Sequence, residues 1–298
     1  MKHYYHLYSN GDDARNFIIT EDDFVAAFNR IALCCHLSKV IVLSFSIEDT
    51  HIHVLLYGAL EECLLFKRLF EENSLRCIVA KRGTGDGVRL CCELDEITDE
   101  KYLMNVAIYT IIQATKDGKA VMPYDYRFGT GPLYFRSEYS VMPWLLDKTG
   151  RLVEPTCFGQ LSARERRKIC GSRKDVPVSW LVCNGFILPT NYVDVARYES
   201  IFRTHNCFRV FMSSGKDKSK VVQERMAFIS GVTIEDLEAR ELCEATCLEL
   251  FGRKGTRHIT PQQRLALACE LRRRYHLSYR QLSSLTRVPE TELRTYIS

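Results

Sequence analysis

The stretch from Asp99 to Lys116, DEKYLMNVAIYTIIQATK, limits the architecture more than any other part of the chain. As a helix it spreads Leu103, Val106, Ala107, Ile108, Ile111 and Ile112 over most of its circumference. Tyr102, Asn105, Tyr109, Gln113 and Lys116, three or four residues apart, form one narrow polar stripe. A helix this apolar has to be covered on most sides. Its stripe must then face something polar that is also enclosed, because a buried polar group without a partner costs roughly 1–3 kcal/mol.

The preceding residues suggest what supplies that surface. His3 to Ser9 (HYYHLYS) reads as a strand ending at the turn Asn10-Gly11. Thr20 is a suitable N-cap, with Asp23 at the third helical position, for an amphipathic helix to about Leu37. Lys39 to Ile47 is β-branched and apolar; Glu48-Asp49-Thr50 breaks it, and HIHVLLYG follows, which predicts an antiparallel hairpin. A second helix is expected from about Glu61 to Lys81, then the bend GTGDG, a strand over Val88 to Glu93, and the helix from Asp99, stopped by Asp117-Gly118. The order β-α-β-β-α-β-α is that of an α+β, ferredoxin-like antiparallel sheet with packed helices.

Residues 136–256 read as a mostly helical connector. Ser162 and Glu165 form a capping box before ARERRKIC, Val232 to Phe251 reads as another helix, and WLVCNGFILPTNY as short strand or loop pieces. Residues 257–298 have the layout of a helix-turn-helix. Thr260-Pro261-Gln262-Gln263 caps a first helix, Ser278 and Gln281 a second, and Arg287-Val288-Pro289 turns into ETELRTYI. Leu282, Leu285, Val288, Leu293 and Tyr296 make its apolar skeleton, and Arg287 stands where such a turn usually has glycine. Arg280, Arg287, Thr291 and Arg294 are its candidate DNA contacts.

The formal net charge of +4, from 41 Lys+Arg and 37 Asp+Glu, does not by itself point to a nucleic-acid partner. The 13 cysteines include no CxxC, which argues against a zinc ribbon or a dithiol redox site and for free thiols in a reducing compartment. The N-terminus has no signal-peptide pattern, and no run approaches the roughly 18 apolar residues of a membrane span. A cytoplasmic protein with no membrane partner is expected.

His51-Ile52-His53 lies on a predicted strand. Alternation sends both imidazoles to one face and Ile52, Val54 and Leu56 to the other. With 8 histidines in 298 residues, a lone H-x-H carries little information. Paired with the stripe it carries more, because the histidine face is the enclosed polar surface the helix needs. Gln113, one turn after Tyr109, could then give an amide oxygen to a cation held by the imidazoles. Tyr102 is the rival tyrosine, but four residues on it has Val106 rather than an oxygen ligand. Lys67, Arg68, Arg76, Lys81 and Arg82, on or near the second helix, are candidates to track a phosphate backbone, as are Asn105 and Lys116 beside the stripe.

SIEDTHIHVLLYG, YLMNVAIYTIIQATKDG and PYDYRFGTGPLYF, in that order, resemble the HUH single-tyrosine transposases, including the REP-associated tyrosine transposases. Thr50 stands where family members often have Asn. The resemblance covers about residues 1–135, which makes that stretch the expected HUH catalytic domain. It implies a DNA transposase in which Tyr109 attacks a phosphodiester of single-stranded or hairpin DNA, leaving a 5′-phosphotyrosine and a free 3′-hydroxyl. Mg2+ or Mn2+ would be held by His51, His53 and Gln113. A phenol ordinarily ionises near pH ~10, so a cation beside it would be what makes it competent. Duplex DNA is a further expected partner through the helix-turn-helix, and a second copy of the chain, as a homodimer, is another. The main alternative is an inactive relative acting as a DNA-binding regulator. A histidine-triad hydrolase would need a third histidine where Leu55 stands, and a ferredoxin-like RNA binder would carry aromatics where this sheet carries histidines.

Overall fold

The computed structural model describes the chain except residues 10–13, 15, 86, 117–119, 121, 137–139, 214–220, 224–225, 227–235, 276, 278 and 297–298, and the side chains at 116, 236–238, 273 and 294. The turns at Asn10-Gly11 and Asp117-Gly118, the helix start at Val232, the cap at Ser278, and the side chains of Lys116 and Arg294 therefore lie outside the described residues. The chain forms two compact units, Met1–Ser219 and Lys220–Ser298.

The first unit is α+β. It begins β1 (His3–Tyr8), α1 (Glu21–Ser38), β2 (Ile41–Ile47), β3 (Ile52–Gly58), α2 (Leu60–Arg82), β4 (Glu93–Ile97) and α3 (Glu100–Lys116). The four strands make one antiparallel sheet in the order β2-β3-β1-β4. Helices α1 and α2 cover one face. Phe28 of α1 meets Phe45 of β2 edge-on at 5.0 Å, and Phe45 is paired with Val54, so the fully buried Ile52, Val54 and Leu56 belong to this layer. Helix α3 covers the other face.

One expected strand is displaced. Val88 to Glu93 was to be the fourth strand, but pairing with β1 begins at Glu93 and runs to Ile97. Leu90 and Cys92 are buried, yet the Cys92 N–H is taken by the Glu71 carboxylate at 2.7 Å rather than by a ladder. The charged ELDEI pairs instead, as suits a strand at a sheet edge.

Residues 156–213 complete this unit. They contain a small sheet of β5 (Thr156–Cys157), β6 (Leu181–Cys183) and β7 (Phe186–Ile187), and helices α4 (Ala163–Cys170), α5 (Val195–Phe202) and α6 (His205–Ser213). Asn184 and Gly185, both at positive φ, make the β6–β7 turn. Buried Asn29 of α1 holds this segment: its amide donates to the carbonyls of Gly185 (2.7 Å) and Ile169 (3.3 Å) and accepts the Ile187 N–H (2.8 Å). On the other side of the molecule, α5 and α6 pack against α3. The Tyr198 hydroxyl donates to the Ala107 carbonyl at 2.9 Å, and its ring stacks on Tyr134 at 3.7 Å.

The second unit contains α7 (Asp236–Phe251), α8 (Pro261–Tyr275), α9 (Tyr279–Thr286) and α10 (Glu290–Tyr296). They enclose a core that includes Cys243, Cys247, Leu267, Leu271, Leu282, Val288 and Leu293. Arg287 follows α9 at φ 62°, its N–H on the Ser283 carbonyl at 2.9 Å, so the turn takes the left-handed conformation for which glycine is the usual residue. Among the described residues all 13 cysteines are free, and no helix is long and apolar enough to cross a membrane.

Asp23 anchors one end of α1. Burial alone would raise its pKa. Hydrogen bonds from Lys81, the Thr20 and Ile19 N–H groups and Arg82 outweigh that and hold the carboxyl well below the usual range. A depressed carboxylate contributes stability above its unfolded pKa of about 3.9, and that stability is lost as pH falls. Asp23→Asn should lower the unfolding free energy by about 2 kcal/mol near pH 7. Urea titrations should find the gap narrowing below about pH 4; a gap of constant size would refute the ion-pair account. Arg287→Gly should raise the melting temperature of the second unit, by about 0.5–1 kcal/mol of relieved backbone strain.

Candidate functional site

The antiparallel register lays two rows of side chains across the α3 face of the sheet. One row runs Ser46, His53, Tyr8, Glu93; the next runs Ser44, Leu55, His6, Asp95. This is the polar surface that the stripe on α3 required. Tyr109 meets it, and Tyr102, Asn105, Tyr109 and Gln113 are 7%, 4%, 3% and 3% exposed, so none of them faces solvent. Asp99 caps the helix that carries them, its carboxylate accepting the Lys101 and Tyr102 N–H groups.

The Tyr109 ring stands edge-on to His53, with centroids 5.0 Å apart at 80°, and edge-on to His6 at 6.3 Å. The His51 and His53 rings are 5.1 Å apart. Two imidazoles sharing one ion at nitrogen distances of about 2.1 Å would have ring centres about 5 Å apart. His51 is half-buried and is the member of the group nearest solvent. The four-residue turn before β3 fixes its backbone, the Glu48 N–H donating to the His51 carbonyl at 2.8 Å. Buried Glu48 in turn accepts from the Ser46 hydroxyl at 3.0 Å.

Two side-chain atoms on the stripe, Gln113 Nε2 and Asn105 Oδ1, are buried with no hydrogen-bond partner among the described residues. Native cores seldom leave amides in that state unless something else is meant to meet them. Among the described residues no three His, Cys, Asp or Glu side chains form a metal-binding group. Two imidazoles and an amide oxygen fall outside that count; the unsatisfied atom of Gln113 is its amide nitrogen, a donor.

The structure thus brings His51, His53 and Tyr109 together and buries Gln113 one turn further along α3. It leaves the expected phosphate-tracking residues elsewhere. Lys81 and Arg82 sit on α2, on the opposite side of the sheet, and both are paired with Asp23 at 2.8 and 2.9 Å. Arg76 is paired with Glu72. Asn105 is buried, at 4% exposed. Arg280, Arg287 and Thr291 are exposed in the second unit, where α10 opens with Glu290 and Glu292.

Sequence reasoning passed over His6, Tyr8 and Glu48. The signal for the first two was present: His6 and Tyr8 are two apart in β1, as His51 and His53 are around β3, and pairing β1 with β3 puts them on one face. No family model matches the chain, and no curated protein or solved structure matches it.

If Gln113 is kept for a ligand rather than for the fold, its removal should stabilise the protein. Gln113→Met keeps the volume and deletes the unsatisfied amide, and should raise the unfolding free energy by about 1 kcal/mol. A loss of stability in denaturant titrations would instead make the amide a structural hydrogen-bonding group.

Proposed function

We propose that the chain is a metal-dependent, single-strand DNA endonuclease and strand transferase of the HUH single-tyrosine kind, with Tyr109 as nucleophile. The observation that carries this reading is Tyr109 standing edge-on to His53, 5.0 Å away, with both side chains buried. The strand order β2-β3-β1-β4, with two helices on one face and α3 on the other, supports a ferredoxin-like sheet as the scaffold.

The roles follow from position. His51 and His53 offer ring nitrogens, and Gln113 an amide oxygen, to the ion. Bound Mg2+ or Mn2+ would polarise the scissile phosphate and support charge on the departing oxygen. The Tyr109 oxygen loses its proton and bonds to phosphorus; the P–O3′ bond breaks and the 3′ oxygen leaves as a hydroxyl, taking up a proton. The 5′-phosphotyrosine keeps the bond energy, so a second 3′-hydroxyl can reverse the step and rejoin strands without ATP. Cleavage requires that the chain covering Tyr109 move aside, His51 being the site's contact with solvent.

That cover is also what favours a second reading, an inactive relative that binds duplex DNA through α9 and α10. A nucleophile 3% exposed is closed to a phosphodiester as it stands. One assay separates the two. A hairpin-bearing single-stranded oligonucleotide with Mg2+ or Mn2+ should give a covalent protein–DNA adduct. Tyr109→Phe should abolish it and Tyr102→Phe should not. Duplex binding without any adduct would favour the regulator.

A further inference from the structure

His6 stands outside the ligand set, yet it touches that set most directly. Its Nε2 lies 3.2 Å from His53 Nδ1, with both residues fully enclosed at 0% and 1% exposed. The rings are inclined by only 28° with centroids 5.3 Å apart. Rings pointing nitrogen at nitrogen over that gap would have centres about 5.5 Å apart, and rings in face-to-face contact nearer 3.5 Å. The two imidazoles therefore meet edge to edge, in the geometry of an N–H···N hydrogen bond.

One proton occupies that bond, and its owner decides what His53 can do. If His6 Nε2 carries it, neutral His53 keeps its own proton on Nε2 and has no lone pair there to give an ion. If His53 Nδ1 carries it, Nε2 is the ligand atom. His51 follows the same pattern. Its Nδ1 is engaged by the Thr50 hydroxyl at 2.8 Å, which again leaves Nε2 as the remaining ring nitrogen. Metal-bound histidines commonly donate their other N–H to a fixed neighbour, which sets tautomer and ring orientation.

We propose that His6 is a positioning residue: it accepts the Nδ1–H of His53 and so holds His53 in the tautomer that presents Nε2 to a divalent cation. This rests on the reading of His53 as an ion ligand, not on Tyr109 as a nucleophile.

The test has two arms on the full chain. In the first, long-range proton–nitrogen correlation on 15N-labelled, metal-free protein should find His53 protonated at Nδ1; protonation at Nε2 overturns the proposal without any variant having to fold. In the second, Mn2+ affinity is measured by calorimetry with melting temperatures taken alongside. His6→Gln keeps an acceptor and should stay within about 3-fold of the unaltered chain, whereas His6→Leu should lose about 10–100-fold. Equal losses in both variants would make His6 a ligand or a packing residue, and no loss in His6→Leu would make it idle; either overturns the assignment. Absence of Mn2+ binding by the unaltered chain would instead remove the metal-dependent reading, with the tautomer still readable in the first arm.

Discussion

Helix α3 is enclosed on every side, and the rest of the first unit is arranged to make that possible. Its apolar residues, Val106, Ala107, Ile108, Ile111 and Ile112, are at most 6% exposed. Each such side chain contributes roughly 1.5–3 kcal/mol by leaving water. That gain is set against a stripe of phenols and amides that also leaves water and is met only in part. A helix can carry such a stripe inward only if the opposing surface is polar, and the two rows of serine, histidine, tyrosine and carboxylate across the sheet provide one.

Closing α3 from behind takes residues far away in the chain. Tyr198 bonds to the Ala107 carbonyl, Tyr134 packs on Tyr198 and donates to the Leu43 carbonyl, and Glu199 accepts the Phe135 N–H at 2.6 Å. On the other face Asn29 ties α1 to the small sheet. Residues 156–213 are therefore part of the walls of the sheet unit, one portion on each side.

The same enclosure shapes the chemistry. Inside an enclosed polar layer every charge and hydrogen bond acts more strongly than in water, so the environment of each imidazole nitrogen matters. His53 has one nitrogen committed to His6, and His51 has one committed to Thr50. Tyr109 is buried, whereas His51 is half-buried.

Much of this was legible in the sequence because it depends on local periodicity. The helix Glu100–Lys116, the hairpin around Glu48-Asp49-Thr50 and the caps at Thr20, Ser162 and Thr260 all follow from spacing and turn chemistry within a few residues. So did the sharing of one face by His51 and His53. Even Arg287 was visible as a residue in a glycine's place, and its φ of 62° is what that place demands. Non-local pairing decided the rest. Which strands adjoin brought His6 and Tyr8 beside His53. The reach of the β1 ladder moved the fourth strand from Val88–Glu93 to Glu93–Ile97. Asp23, on the far side of the sheet, drew in the Lys81 and Arg82 charges that were expected to meet DNA. Side-chain alternation is written residue by residue, whereas which faces and charges meet is set only when distant segments compete for the same buried space.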